Sequence, residues 1–219
     1  MEDVKPDTVT DVSFYEARAA IYCQINQYGL ALKDYDKLMQ LKGGDSRSLC
    51  LRANVLVHLD QYREAIDDYN RAITLDPTCA YPLASRGFAF LKLGEQKAAL
   101  DDFTRALDMN PEDSLTWSNK ADIYFELKKY SEAYDAAARA LILDPNNIDA
   151  TCNKGEAALR LGHYDEALPL LTSAIEKGPA EIKGEAHFYR AELYAKTGKP
   201  ELSKDEKAAA TMLGFKHVE

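Results

Sequence analysis

Four cysteines and four histidines are the side chains of this 219-residue sequence best suited to metal or redox chemistry, and their spacing offers neither. Cys23, Cys50, Cys79 and Cys152 are scattered. No two of them, nor of His58, His163, His187 and His217, stand the few residues apart that a zinc site requires. They read as free thiols, acting as small apolar residues on half-buried helix faces. There is no glycine-rich phosphate loop, nucleophile elbow or metal motif, so no cofactor and no catalytic centre is expected. What the residue types do offer is recognition by charge and aromatic ring. Arg18, Arg52, Arg86, Lys120, Lys154 and Arg190 form one basic column, and Asp34, Asp67, Asp68, Asp101, Asp102 and Asp135 form an acidic ridge.

The formal net charge of -9 sets limits on partners. Phosphate backbones are held by clustered Lys and Arg, so nucleic acid is not an expected ligand. The acidic ridge reads as a solvated face, with a docking surface for a basic partner as the alternative. The basic column reads as structural, each aliphatic stem packed between helices and each head paired to a carboxylate such as Asp67 or Asp101, with ligand recognition as its alternative.

Both sets of charges are carried by a repeat. Pro77, Pro111, Pro145 and Pro179 follow one another at intervals of 34 residues, and a fixed period of that length means a copied unit that cannot bury its apolar face alone. Small residues keep the same interval: Ala31, Ala65, Ala99, Ala133 and Ala167 in one column, Ala19, Ala53, Gly87, Ala121, Gly155 and Ala191 in another, Ala72, Ala106, Ala140, Ala174 and Ala210 in a third. They mark the points where helices cross closely. Rings fill the space between, as at Tyr35, Tyr69 and Phe103.

Within each repeat, apolar residues recur three and four apart on two segments, the pattern of an amphipathic helical hairpin. Gly94, Gly162, Gly198, Asn26 and Asp60 suit the positive φ that ends the first helix, and Lys128 departs from that rule. Leu75-Asp76-Pro77 and its copies end the second helix. Pro169 is expected in the first turn of a second helix, where proline is tolerated. Ala137 and Ala158 stand where facing aromatics are expected, so the helices close up there or a small cavity opens.

These residues resemble the tetratricopeptide repeat family. The resemblance implies an all-α, right-handed α-solenoid of antiparallel helix pairs. Its repeats span 12–45, 46–79, 80–113, 114–147, 148–181 and, after a two-residue slip, 184–217, forming a single array over 12–217. The last keeps Arg190, Ala191, Tyr194, Gly198 and Ala210 but has Ser203 and Lys207 where others have Ala and a ring, as a degenerate polar cap would. Residues 1–11 read as a flexible arm. No apolar run of membrane-spanning length and no basic-apolar leader occurs, so no membrane partner and a cytoplasmic location are expected.

In the family the first helix of each repeat lines a concave groove. Carried onto this chain, the groove-facing positions include Arg47, Cys50, Asn54, Val57 and His58, then Tyr81, Ala84, Phe88, Leu91 and Lys92. Leu115, Ser118, Asp122, Phe125 and Glu126 follow, with Asp149, Cys152, Glu156, Leu159 and Arg160 after them. The peptide-binding candidates are Asn54, Val57, His58, Tyr81, Phe88, Leu91, Leu115, Asp122, Phe125 and Leu159: apolar pockets for affinity and a few polar groups for register. Phe88 and Phe125 are the leading pair. Family members that grip chaperone tails use a clamp of Lys, Asn and Arg. Here Asn119 and Asn153 occupy the middle Asn position, but before Asn119 stand Ala84 and Phe88 in place of Lys and Asn, and after it Asp149 and Asn153 in place of Lys and Arg, so carboxylate-clamp chaperone tails are not expected. The resemblance implies a non-catalytic adaptor or scaffold taking a peptide or helix of another protein, with homo-oligomeric self-association as the alternative.

Overall fold

The structure, a computed structural model, describes residues 11–215; the expected arm, apart from Asp11, and His217 lie outside the described residues. Among the described residues there are twelve α-helices and no strand. They form six sequential pairs: α1 (Val12–Gln24) with α2 (Tyr28–Lys42), α3 (Ser46–His58) with α4 (Tyr62–Leu75), α5 (Tyr81–Lys92) with α6 (Gln96–Met109), α7 (Ser114–Glu126) with α8 (Tyr130–Leu143), α9 (Ile148–Leu161) with α10 (Tyr164–Lys177), and α11 (Ala180–Lys196) with α12 (Pro200–Met212). The chain divides between Asn110 and Pro111 into two compact bodies. In the first, consecutive helices pack in order and α3 also meets α5; in the second they again pack in order, and α9 touches both α7 and α11.

The local signals explain the boundaries. Asp11, Asp45, Asp113 and Asn147 cap first helices by accepting backbone N–H groups, as Asp45 does from Ser48 at 2.7 Å. The residue before each proline ends a second helix, at Asp76, Asn110 and Asp144. Positive φ closes the first helices not only at Asn26, Asp60, Gly94, Gly162 and Gly198 but also at Lys128, with φ 58°. The turn geometry of the repeat overrides the residue's preference there. Pro169 is not in a first turn: α10 begins at Tyr164, matching Tyr28, Tyr62 and Tyr130, so proline sits one turn further in. It withholds an N–H from the Asp165 carbonyl, and both residues lie on the exposed side, where solvent can serve. The last first helix, α11, starts at Ala180, four residues ahead of the expected 184.

The three small-residue columns are buried throughout, and Tyr35, Tyr69 and Phe103 fill the spaces between them. The approach is tight enough at Gly87 that an added Cβ would stand 2.7 Å from the Phe103 ring and 3.3 Å from the Ala99 carbonyl. Ala137 and Ala158, in place of rings, are fully buried among their neighbours.

The basic column packs as expected, but onto other partners. Arg18, Arg52 and Arg86 each hold the Asp sixteen residues on, Asp34, Asp68 and Asp102, through two bonds of 2.6–2.7 Å. Asp67 and Asp101 point to solvent instead. One residue is 100° of helix rotation, so each Asp-Asp pair splits into an inner and an outer carboxylate, and the acidic ridge is only half a solvated face. The guanidinium also reaches back one repeat: Arg52 to Asp36 at 3.0 Å, Arg86 to Asn70 at 2.5 Å, Arg190 to Thr172 at 3.1 Å. In the fourth and fifth repeats the pattern changes, whereas Arg190 in the sixth keeps it with Glu206 at 2.7 Å. Ala136 and Leu170 occupy the acid's place, and Lys154 turns to Glu166 at 2.8 Å.

Replacing Arg52 with Ala removes both hydrogen bonds it gives the Asp68 carboxylate, whose side chain is 3% exposed, and leaves Arg71 at 3.6 Å. The loss expected in urea denaturation is about 3 kcal/mol, most of it recovered when Asp68→Leu is added to Arg52→Met. Equal instability of the single and double variants would refute the pairing. Gly87→Ala, through its contact with Phe103, is expected to cost about 1–3 kcal/mol in the same assay.

Candidate functional site

In the first body a hydrogen-bonded chain runs from the interior to the surface. The Tyr69 hydroxyl donates to Asn54 Oδ1 at 2.7 Å, and Asn54 Nδ2 donates to the Tyr81 hydroxyl at 2.7 Å. Burial raises Tyr69 well above the ordinary phenol range, keeping it a neutral donor. Asn54, held from both sides, has its amide orientation fixed, and Tyr81 is tethered at its hydroxyl while 53% exposed. Tyr81 opens α5, with Pro82 buried behind it. Phe88, two turns along, is half-buried with Lys92 Nζ 5.0 Å from its ring centre, a cation–π contact. Val57 packs on the cluster around Leu49, Ala53 and Tyr69, and Leu91 is half-buried. His58 is exposed but lies flat on Tyr28, ring centres 4.3 Å apart.

The second body presents a different chemistry. Leu115 is 62% exposed at the start of α7. Phe125 is half-buried, 5.3 Å from Tyr130 and 5.9 Å from the Arg160 guanidinium. Asp122 accepts from Asn153 Nδ2 at 2.5 Å. Burial pushes the Asp122 carboxyl up to about 7, against the Asn153 bond and helped by Asp149, Glu185 and Glu126. Glu156 is pushed up to about 8, chiefly by burial, with the Tyr189 hydroxyl and Arg160 opposing. Arg160 Nη2 stands 3.8 Å from Glu156 and Nη1 bonds Glu192 at 2.6 Å. Cys152 is raised well above a normal thiol, first by burial and then by the surrounding carboxylates, which makes it a poor nucleophile.

Several groove-facing assignments need correction. Leu159 is 1% exposed inside the cluster with Ala158, Ala167 and Leu171, and Cys50, Ser118, Cys152 and Glu156 are buried too. Within the second body α9 is covered by both α7 and α11, so its inner positions become core. The structure joins Asn54 to Tyr81 and Phe125 to Arg160. Tyr69 and Tyr189, which anchor the polar contacts, went unrecognised because one is a core-column ring and the other lies beyond the two-residue slip. Asn153 was weighed only against a clamp. A spacing of 31 to 33 between polar first-helix residues, as in Asp122 with Asn153, is a signal that finds Asn153 and Tyr189 but not Tyr69, which lies on α4, fifteen residues from Asn54. Among the described residues no group of three or more His, Cys, Asp and Glu could hold a metal ion, and no helix is long and apolar enough to cross a membrane.

Helix pairs of this period with Ala, Gly and ring columns define a class of repeat protein, and sequence comparison agrees. Tetratricopeptide repeat profiles match residues 46–79, 85–148 and 125–184. The chain belongs to the tetratricopeptide repeat family. No curated protein matches it in sequence. Among solved structures, YrrB, described as a TPR protein with an unusual peptide-binding site, is similar at 22% identity and TM-score 0.65, covering 82% of this chain and 91% of that one. MamA is similar at 21% identity and TM-score 0.64, covering 78% and 94%. PilF of Pseudomonas aeruginosa is similar at 15% identity and TM-score 0.78, covering 92% and 91%. At these identities the likeness is one of fold.

The buried carboxyls give the second body a pH signature. Acids whose folded values lie above the ordinary 4 to 5 favour the folded state while protonated. Their contribution is complete at pH below about 4 and is lost as pH rises through about 7 to 8. Glu156→Gln is expected to be more stable than wild type at pH 9 by at least about 1 kcal/mol, with no gain at pH 4, in urea titrations at both values. A gain independent of pH would contradict burial of a titrating carboxyl.

Proposed function

We propose that this protein is a non-catalytic interaction module whose first-helix faces hold a peptide segment or helix of a partner protein. The observation that carries the reading is the Tyr69–Asn54–Tyr81 chain. It fixes an exposed ring and an oriented amide side by side before any ligand arrives, which lowers the ordering cost of binding. Tyrosine in such a setting supplies apolar area with few rotamers to freeze, and Phe88 with its Lys92 partner extends the apolar surface along the same helix. In the other body, Leu115 is an exposed apolar side chain at the start of its own first helix. The peptide-binding description of YrrB supports the assignment by fold analogy. The displaced titrations of Asp122, Glu156 and Tyr189 arise from burial and mutual contacts rather than from a nucleophile–base pair, in keeping with binding rather than catalysis.

Panning a random dodecapeptide display library against the protein tests this. Enriched peptides, synthesised and measured by calorimetry, are expected to bind Tyr81→Ala/Phe88→Ala at least about tenfold more weakly, with unchanged helical circular dichroism. Failure to enrich any peptide, or equal affinity for wild type and the double variant, would overturn the reading.

A further inference from the structure

The outer carboxylates left over from the Arg–Asp pairing are gathered, in one place, around a recess. Between α2, α3 and α4 lies a pocket of about 380 Å³. Its floor is apolar, Leu32 and Leu56. Its wall is the Asp36–Arg52–Asp68 network already described, and its rim carries Glu64, Asp67 and Arg71. Four carboxylates face two guanidiniums there. Arg52 is committed to Asp36 and Asp68, and Arg71 leans on Asp68 at 3.6 Å. Glu64 and Asp67, both exposed, make no side-chain hydrogen bond or ion pair with the described residues. The surplus of negative charge is therefore concentrated on two free rim carboxylates above an apolar floor.

The repeat supplies its own control. One period on, the corresponding residues are Ile66 and Phe90 below, Arg86, Arg105, Asp101 and Asp102 around them, with Asn70 in place of Asp36 and Ala98 in place of Glu64. The copy has two carboxylates against two guanidiniums, and the larger Phe90 ring replaces Leu56. Structural pairing needs only what the copy retains. Of the two acids the copy lacks, Asp36 is held by Arg52, so Glu64 is the one that no pairing accounts for; Asp67 recurs in the copy as the solvent-facing Asp101.

We propose that this recess, formed by α2, α3 and α4 and separate from the first-helix face, receives a basic side chain, arginine or lysine, from a partner polypeptide. The aliphatic stem would lie over Leu32 and Leu56, and the cationic head would meet Glu64 and Asp67. A long cationic side chain is the occupant that satisfies both features, since it alone carries an apolar stem and a terminal charge. A purely apolar segment would leave the rim carboxylates unmet, and an anionic one would be repelled.

The probe is the peptide acetyl-Gly-Leu-Arg-Leu-Gly-amide, titrated into the ¹⁵N-labelled full chain, with a norleucine-for-arginine peptide as control. Amide shifts are expected to concentrate in α2, α3 and α4 around the recess. Glu64→Gln/Asp67→Asn should weaken binding by about tenfold, two exposed charge contacts' worth, while moving the urea midpoint little, because neither side chain is paired with the described residues and the charge of Glu64 in the first turn of α4 contributes modestly. Tyr81→Ala should leave this titration unchanged, which separates it from the peptide-face assignment. Absence of binding, equal binding of the norleucine peptide, equal affinity of the rim variant, or shifts centred on the carboxylates of α7, α9 and α11 would each overturn the proposal.

Discussion

Helices in this chain meet where nothing larger than a methyl group fits, and most of the architecture follows from that restriction. At Gly87 even a methyl is too much. Close backbones leave little room for water, so a charge at the crossing must be paired within the protein. The arginine column meets that need, and its geometry suits it better than lysine would. A planar fork can take a carboxylate with two nitrogens and still spare a third for the preceding repeat, as Arg52 does with Asp68 and Asp36. The pair thus ties the two helices of one repeat, and the spare nitrogen ties that repeat to its neighbour.

The fourth and fifth repeats show what happens when the fork is given up. Lys120 and Lys154 replace arginine in the same two repeats where Ala136 and Leu170 replace the inner acid, a joint change that a mutual structural role explains. The interior polarity does not vanish but moves to the first helices, into Asp122 with Asn153 and into Glu156 with Tyr189 and Arg160. These contacts are less well compensated. Burial is why Glu156 holds its proton, and its Oε1 has no hydrogen-bond partner among the described residues.

The period of 34 and its columns made the helix pairs, their ends and nearly all of the small-residue core legible, because packing against identical neighbours imposes the same size at the same place. The candidate site was less legible, for two physical reasons. Adjacent Asp residues such as Asp67 and Asp68 look alike in a sequence, yet 100° of rotation sends one to solvent and one to an arginine. Leu159 and Glu156 were placed on an open face by analogy, whereas α9 lies between α7 and α11 and loses that face to packing. Pro169 misled in the same way: its tolerance depends on a solvent-facing carbonyl, which spacing does not reveal.

Deviation from the repeat, more than the repeat itself, is where specific chemistry can be sought. A position whose residue type recurs is accounted for by packing that recurs with it. Tyr81 breaks the pattern: one period on stands Leu115, equally exposed but without a hydroxyl to anchor it, and one period back Arg47. Tyr81 presents on its first helix a ring whose position is set from the core through Asn54 and Tyr69. The recess above Leu32 and Leu56 breaks it likewise, by Glu64, where its copy has Ala98. In both places the fold holds side chains that its own packing does not use, and side chains of that kind are the ones free to be selected for contact with another molecule.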